Sequence, residues 1–511
     1  MTPDQRPGSG GPIGSRALRP VGANVARVGA VLALAFAVLA GGAGFWQVYR
    51  ASDLSDAPDN PLVIAAQRRV ERGTITDRDG VVLARNRKDA NGEPYRVYTD
   101  PAMSPVVGYA SRLFGTAGLE RSFDAQLSGL AGPDPVADVL RKFGADPYDP
   151  QDLRLSISLK LQKAAVSGLG DNRGAVVMLD PSTGEVLALA STPTYDASRI
   201  TDPDTARRAF ASLLDDRSQP LLPRATQGRY VPGSVFKIVT ALAALGTGAI
   251  TPDTSFKQQP RSEANGLLVD GFRVRDGHHP QTDDRALDFE EAVEVSCNIY
   301  FALAGLRTGG DGLSATASRL GFGSPIPFDL PTAVSQLTNG GGPLPGGFSD
   351  RVELANAAYG QAEVLVTPLQ MALVAATVAN DGVLMRPRLV TAMTGKGGTR
   401  QIGPSQLRDV IDPGRDAVIK AAMERAVEGD LGRLFTTGAA IPGVPTAGKS
   451  GTAELGGSGE PHSWFIGFAP VDHPKVAIAV IVEQGGRGAE RAAPLAGDLM
   501  QMALRLDGNG G

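Results

Sequence analysis

Among the 29 serines of this 511-residue chain, only Ser234 has a lysine three positions on, at Lys237. Residues three apart share a helix face, so the amine can take the hydroxyl proton and leave a nucleophile. Pro232 beside the first turn, apolar residues at Val235, Ile238, Val239, Leu242 and Leu245, and Gly246 as a stop predict a helix over residues 234–246, buried on one side. Free peptide N–H groups at its start would face charge developing near the serine. Taken alone, Ser-x-x-Lys is a weak signal, because a helix cap followed by a solvated lysine explains it as well.

Two further short motifs follow in order, Ser296-Cys-Asn298 and Lys449-Ser-Gly-Thr452. Each has a plain reading by itself, a turn joining two helices and a β-strand lysine. Both cationic positions hold Lys in a chain where 40 of the 50 basic residues are Arg. A base that titrates needs Lys, since a guanidinium keeps its proton near neutral pH.

Several elements must bring these pieces together. Short β-prone runs around Asp79-Gly80 predict a hairpin, and residues 108–129 a partly helical stretch, in a small mixed domain without nucleophile, metal set or phosphate loop. Pro- and Asp-rich residues 131–150 mark a boundary. Residues 174–180 and 185–191 flank Pro181-Ser-Thr-Gly184 as two buried strands of a hairpin. Residues 287–308 read as two helical stretches joined around Ser296-Cys-Asn298, and residues 353–380 are helical, with a new start at Thr367-Pro368. Strands return at 447–454, 462–469 and 476–483, and a helix over 493–506 closes the chain. The expected class is multidomain α+β, one antiparallel sheet built from both ends of a domain with helices packed around it. Residues 261–284 form a loop-rich insertion with His278, His279, Asp283 and Asp284, read as solvated, so no metal is expected. Cys297, the one cysteine, reads as a small buried residue and not a nucleophile.

A net charge of -4 gives no general attraction to nucleic acid. Val28 to Tyr49 is 22 residues without a charge, about 33 Å as a helix against a hydrocarbon core of ~30 Å. Arg6, Arg16, Arg19 and Arg27 precede it and Asp53, Asp56 and Asp59 follow, which predicts a cytoplasmic tail, a single-pass anchor in the cell membrane and an extracytoplasmic remainder. A cleaved signal peptide is the rival, since Val38-Leu-Ala40 would suit a peptidase. The expected division is 1–27 tail, 28–49 anchor, 50–150 linker and non-catalytic pedestal of dimerisation-domain type, and 151–511 catalytic domain.

With its three motifs in this order, together with Arg72-Gly-Thr-Ile-Thr-Asp-Arg78, Tyr230-Val-Pro-Gly, Thr367-Pro-Leu-Gln-Met-Ala372, Asn380-Asp-Gly-Val-Leu-Met-Arg386 and His462-Ser-Trp-Phe-Ile-Gly-Phe-Ala-Pro470, the chain resembles a class B penicillin-binding protein. The short N-terminal domain and Ile441-Pro-Gly-Val444 resemble the penicillin-binding protein A type. Val235 and Ser450 stand where Thr is frequent, and neither side chain is asked to move a proton.

The resemblance implies a penicillin-binding/serine β-lactamase-like fold and a peptidoglycan D,D-transpeptidase, inhibited by β-lactam antibiotics and needing no cofactor. The substrate would be the D-Ala-D-Ala end of a stem peptide. Ser234 would attack the penultimate carbonyl with Lys237 as base, whose proton must leave near neutrality, well below the ~10.4 of a free lysine. Burial and a second nearby cation can depress it, and Lys449 is the candidate cation. Ser296 would relay a proton to the leaving D-alanine and Asn298 would orient Lys237 and the substrate amide. The N–H groups of Ser234 and Thr452 would form the oxyanion hole, and Lys449, Ser450, Gly451 and Thr452 would bind the terminal carboxylate. The resemblance also implies a partner glycosyltransferase of the shape, elongation, division and sporulation (SEDS) family and, by the A-type likeness, divisome proteins. A serine β-lactamase, a membrane-anchored β-lactam sensor and a recruiting scaffold are the competing readings; the membrane segment and extra domain weigh against the first and the short tail against the second, and complementation by a Ser234→Ala form discriminates the third.

Overall fold

The computed structural model describes residues 21–44, 71–129, 149–276, 279, 285–432, 438–456 and 459–508. Residues 1–67 and 68–511 fall into separate units, and in the first Val21–Gly44 is helical. No helix among the described residues is long and apolar enough to cross a membrane, and residues 45–49 of the expected span lie outside them.

In the second unit, five antiparallel strands run in the order Ala447–Ala453, His462–Ala469, Val476–Val482, Gly174–Leu179, Val186–Thr192. Both ends of the domain therefore build one sheet, as the strand runs imply. The last three of these strands are buried at every position. Alternation explains this: Ala477, Ala479 and Ile481 enter one core, with the helices Lys237–Gly246 and Pro368–Ala379, while Ile478, Val480 and Val482 enter a second. The second core is covered by the helices Leu159–Leu169 and Ala492–Gly508. A sheet covered on both faces needs apolar residues at both parities, so its strands read as continuous runs.

A second sheet has six strands in the order Gly398–Gln401, Val390–Gly395, Asp152–Leu155, Ile75–Thr76, Val82–Lys88, Pro94–Tyr98. It crosses the boundary expected at 150/151, because Ile75 and Thr76 pair in parallel with Leu153 and Arg154. Beneath it Glu120 is buried between Arg96 and Arg72, at 2.6 and 2.8 Å. Two guanidiniums around one carboxylate keep all three charges paired away from water.

The helix expected over 234–246 is in fact two pieces. Gly233–Phe236 is a 3₁₀ turn and the α-helix is Lys237–Gly246, buried along Lys237–Leu245 and not on one side only. It packs against Asn298–Leu320 and Pro413–Glu428, and alanines at 241, 243 and 244 let those neighbours close on the sides the periodicity leaves open.

Candidate active site

Ser234 stands in the 3₁₀ turn, half-buried, and among the described residues no hydrogen bond reaches its hydroxyl. Lys237, the first residue of the helix, is completely buried. Its Nζ donates to Asn298 Oδ1 at 2.7 Å, to Ser296 Oγ at 3.1 Å and to the Ser296 carbonyl. Two of the three motifs thus meet on one amine.

Ser296 can present both its oxygens there because it adopts φ 62°, a left-handed conformation rare outside glycine. Such a residue holds roughly 1–3 kcal/mol of strain, kept in place by its surroundings and common at sites that do chemistry. The turn separates Phe289–Glu294, which begins with a capping box on Asp288 and Glu291, from Asn298–Leu320. This is the junction expected from the sequence, although the second helix runs on past residue 308 to Leu320 through a break at Gly309.

Burial holds the Lys237 amine down, at about 8, while the Asp276 carboxylate and Cys297 pull the other way. Lys449 and Lys237 also repel each other: Lys449 is pushed well below its ordinary value by burial first and by Lys237 second. An amine with no water to stabilise its charge releases the proton more easily.

Lys449 is buried and its Nζ donates to the Ser450 carbonyl at 3.1 Å. Ser450 is buried beside it, whereas Thr452 is exposed and its Oγ1 accepts the Gly488 N–H at 3.3 Å. Strand Ala447–Ala453 is the sheet edge, and the nucleophile turn lies against it backbone to backbone. A Cβ on Gly233 would stand 2.7 Å from the Thr452 carbonyl oxygen, and one on Gly451 would stand 3.0 Å from the Pro232 carbonyl oxygen. From the other side, a Cβ on Gly360 would stand 1.9 Å from the Gly233 carbonyl oxygen. A Cβ would clash with backbone at Gly233 and Gly360, both at positive φ, and would be tight at Gly451.

In its described part, the insertion after residue 260 is not the solvated loop expected. The Arg275 carbonyl accepts from Asn298 Nδ2 at 3.3 Å, and Asp276 Oδ2 accepts from the Ile299 N–H at 3.1 Å. With its NH₂ turned to Arg275, the Asn298 amide offers its oxygen to Lys237. His279 is buried, its Nδ1 2.9 Å from Glu263 Oε1, and Glu263, His279 and Cys297 bring three donor atoms within 4.8 Å of one another. These three could hold a soft divalent ion. His278, Asp283 and Asp284 lie outside the described residues. The Cys297 thiol is fully buried and pushed well up by burial, consistent with an inert residue. Residues 275 and 276 carry no motif. The one sequence trace of this packing is Gln259 and Glu263, four apart on the helix Gln259–Asn265.

The model of the penicillin binding protein transpeptidase domain matches residues 174–501, and that of the penicillin binding protein A dimerisation domain matches residues 72–146. The chain is 35% identical over 507 residues to the peptidoglycan D,D-transpeptidase PbpA of Mycolicibacterium smegmatis, covering 94% of this chain and 98% of that one. It is 31% identical over 412 residues to the peptidoglycan D,D-transpeptidase MrdA of Acinetobacter baumannii, covering 75% and 59%. Among solved structures, penicillin-binding protein A from M. tuberculosis as its imipenem acyl-enzyme complex aligns with a TM-score of 0.75 at 33% identity, over 86% of this chain and 100% of that one. With a shared fold, a transpeptidase domain over residues 174–501 and the A-type domain ahead of it, the chain belongs to the penicillin-binding protein transpeptidase family.

Proposed function

We propose that this chain is a peptidoglycan D,D-transpeptidase that cross-links stem peptides through an acyl-enzyme on Ser234. The observation that carries the reading is the Lys237 amine: fully buried, held by Ser296 and Asn298, three residues from Ser234 and at about 8. A neutral Lys237 takes the Ser234 proton as Oγ bonds to the penultimate carbonyl carbon of D-Ala-D-Ala. The charge on the carbonyl oxygen is met by the N–H groups of Ser234 and Thr452, a pairing supported by the close approach of Gly233 to Thr452. The C–N bond then breaks, and Ser296 passes a proton from the lysine to the departing D-alanine. An amine of a neighbouring stem attacks the ester, forms the new amide and returns the proton to Ser234 by the same groups. Lys449, with Ser450, Gly451 and Thr452, holds the terminal carboxylate, and Asn298 orients the substrate amide.

The uncharged run 28–49 and the arginines before it support a cell-membrane tether with the catalytic domain outside the cytoplasm. The family supports work beside a SEDS glycosyltransferase and the divisome. Membrane fractionation and co-purification test those two points. Intact-mass measurement after penicillin treatment tests the chemistry: one adduct on Ser234, released over many minutes, is expected, and none in Ser234→Ala. An adduct elsewhere, or release within seconds as in a β-lactamase, would reject the assignment.

A further inference from the structure

The turn carrying Ser234 is moored to the sheet by contacts outside the three motifs, and the far end of that mooring is a carboxylate 253 positions from Tyr230. Tyr230 Oη donates to Glu483 Oε1 at 2.8 Å. Glu483 directly follows Val476–Val482, the third strand in from the cleft, whereas Lys449 and Thr452 belong to the first. The same carboxylate receives Arg224 Nε at 2.8 Å and Arg173 Nε at 3.0 Å. Arg224 is buried and spends its other nitrogens on the Gln219 and Ser218 carbonyls, at 2.9 and 2.7 Å. Two guanidiniums therefore hold the Glu483 carboxylate in place, and the phenol donates to a group that cannot easily shift.

Tyr230 is as well held at its other atoms. Its N–H and carbonyl exchange hydrogen bonds with Val366, both at 2.9 Å, and its ring stands edge-on to His462 and Trp464. One residue on, the Val231 carbonyl accepts Trp464 Nε1 at 3.0 Å, and two further on the Gly233 N–H donates to the Gly360 carbonyl at 2.9 Å. The segment entering the Ser234 turn is thus pinned to the second strand by Trp464 and to the third by Glu483. Acyl transfer needs the Ser234 oxygen and N–H at a set distance from the edge strand, and these pins decide where the turn stands.

We propose that Glu483 is a positioning residue for the reaction: through the Tyr230 hydroxyl it fixes the Ser234 turn against the strand carrying Lys449 and Thr452. This rests on Ser234 being the nucleophile. A purely structural carboxylate would affect stability and leave the rate of attack alone, so the test separates rate from binding.

Tyr230→Phe keeps the ring and deletes the hydroxyl. With a fluorescent penicillin, its acylation rate constant at saturation should fall about tenfold while the constant for reversible binding stays put, because attack is more sensitive than binding to a sub-ångström shift. Glu483→Gln still accepts the phenol hydrogen and should acylate within about threefold of the unchanged chain even where its Tm drops. Glu483→Ala should match Tyr230→Phe, and the double variant should be no slower than the slower single one. Tyr195→Phe, which removes another buried hydroxyl bond, to the Ser104 carbonyl at 3.1 Å, should acylate normally. Should Glu483→Ala not fold, Tyr230→Phe decides alone. Ser234 adduct formed by Tyr230→Phe at the unchanged rate, or a loss confined to reversible binding, overturns the proposal. Absence of a Ser234 adduct in the unchanged chain would instead reject the nucleophile assignment.

Discussion

Lys237 Nζ and Asn298 Oδ1 meet at 2.7 Å although 61 positions separate them, and the other end of the Asn298 amide is held by the Arg275 carbonyl. The amide thus has its orientation fixed from both sides. Asn298→Ala should lower the acylation rate about 10²-fold, the scale of losing one preorganised polar group in an acyl-transfer site. Stopped-flow measurement with a fluorescent penicillin gives the rate, and an unchanged rate would show that Ser296 alone suffices.

The pH profile follows from the amine at about 8. Only neutral Lys237 can act as base, so acylation should rise with pH, level off above 8 and stand about 100-fold below its plateau at pH 6. Lys237→Arg should abolish it, since a guanidinium does not titrate in this range. The same depression means that between about 8 and the free-lysine value the unfolded chain binds more protons than the folded one. Stability from this group therefore rises with pH across that window.

Asp416 is fully buried on Pro413–Glu428, and among the described residues neither of its oxygens has a hydrogen-bond partner. Burial raises its carboxyl to about 8, opposed by Lys420 and reinforced by Asp381 and Asp412. A carboxyl raised in the folded state makes stability fall as pH climbs from about 4 to 8, because the unfolded chain gives up its proton first. Asp416→Asn should raise Tm by a few degrees at pH 7 and by less at pH 5, in scanning calorimetry.

Gly360→Ala should stop acylation. It places a Cβ 1.9 Å from the Gly233 carbonyl at a residue with φ 86°, so the nucleophile turn or the segment beneath it has to move. Circular dichroism distinguishes a displaced turn, with retained fold and no adduct, from loss of the fold.

Glu120→Ala should destabilise the chain by about 3–5 kcal/mol, because it leaves the buried Arg96 guanidinium without its counter-ion and Arg72 with Asp124 alone. Denaturant titration followed by fluorescence reads the loss.

The sheet and the site differ in how much of them local sequence carries. The runs 174–179 and 476–482 read as strands because every position in them is apolar, and the chemical motifs read because Ser, Lys and Asn recur at fixed short spacings. Nothing local marks the pairing of Ile75 with Leu153, which depends on two segments meeting across the expected boundary. The full burial of Lys237 was hidden for a similar reason: periodicity shows one apolar face, and small alanines on the others are silent until neighbouring helices close on them. The insertion was misread because Arg275 acts through its backbone carbonyl, which every residue has. Tyr230 and Glu483 carry no motif that relates them, and only the sheet order brings them together.

The six-stranded sheet also governs how this molecule can be taken apart. A fragment cut at residue 151 would keep Asp152–Leu155 and Val390–Gln401 but lose their neighbour Ile75–Thr76, leaving a raw edge where the intact sheet has a paired one. The pedestal therefore shares a sheet with the catalytic half, and cutting it away removes three of that sheet's six strands.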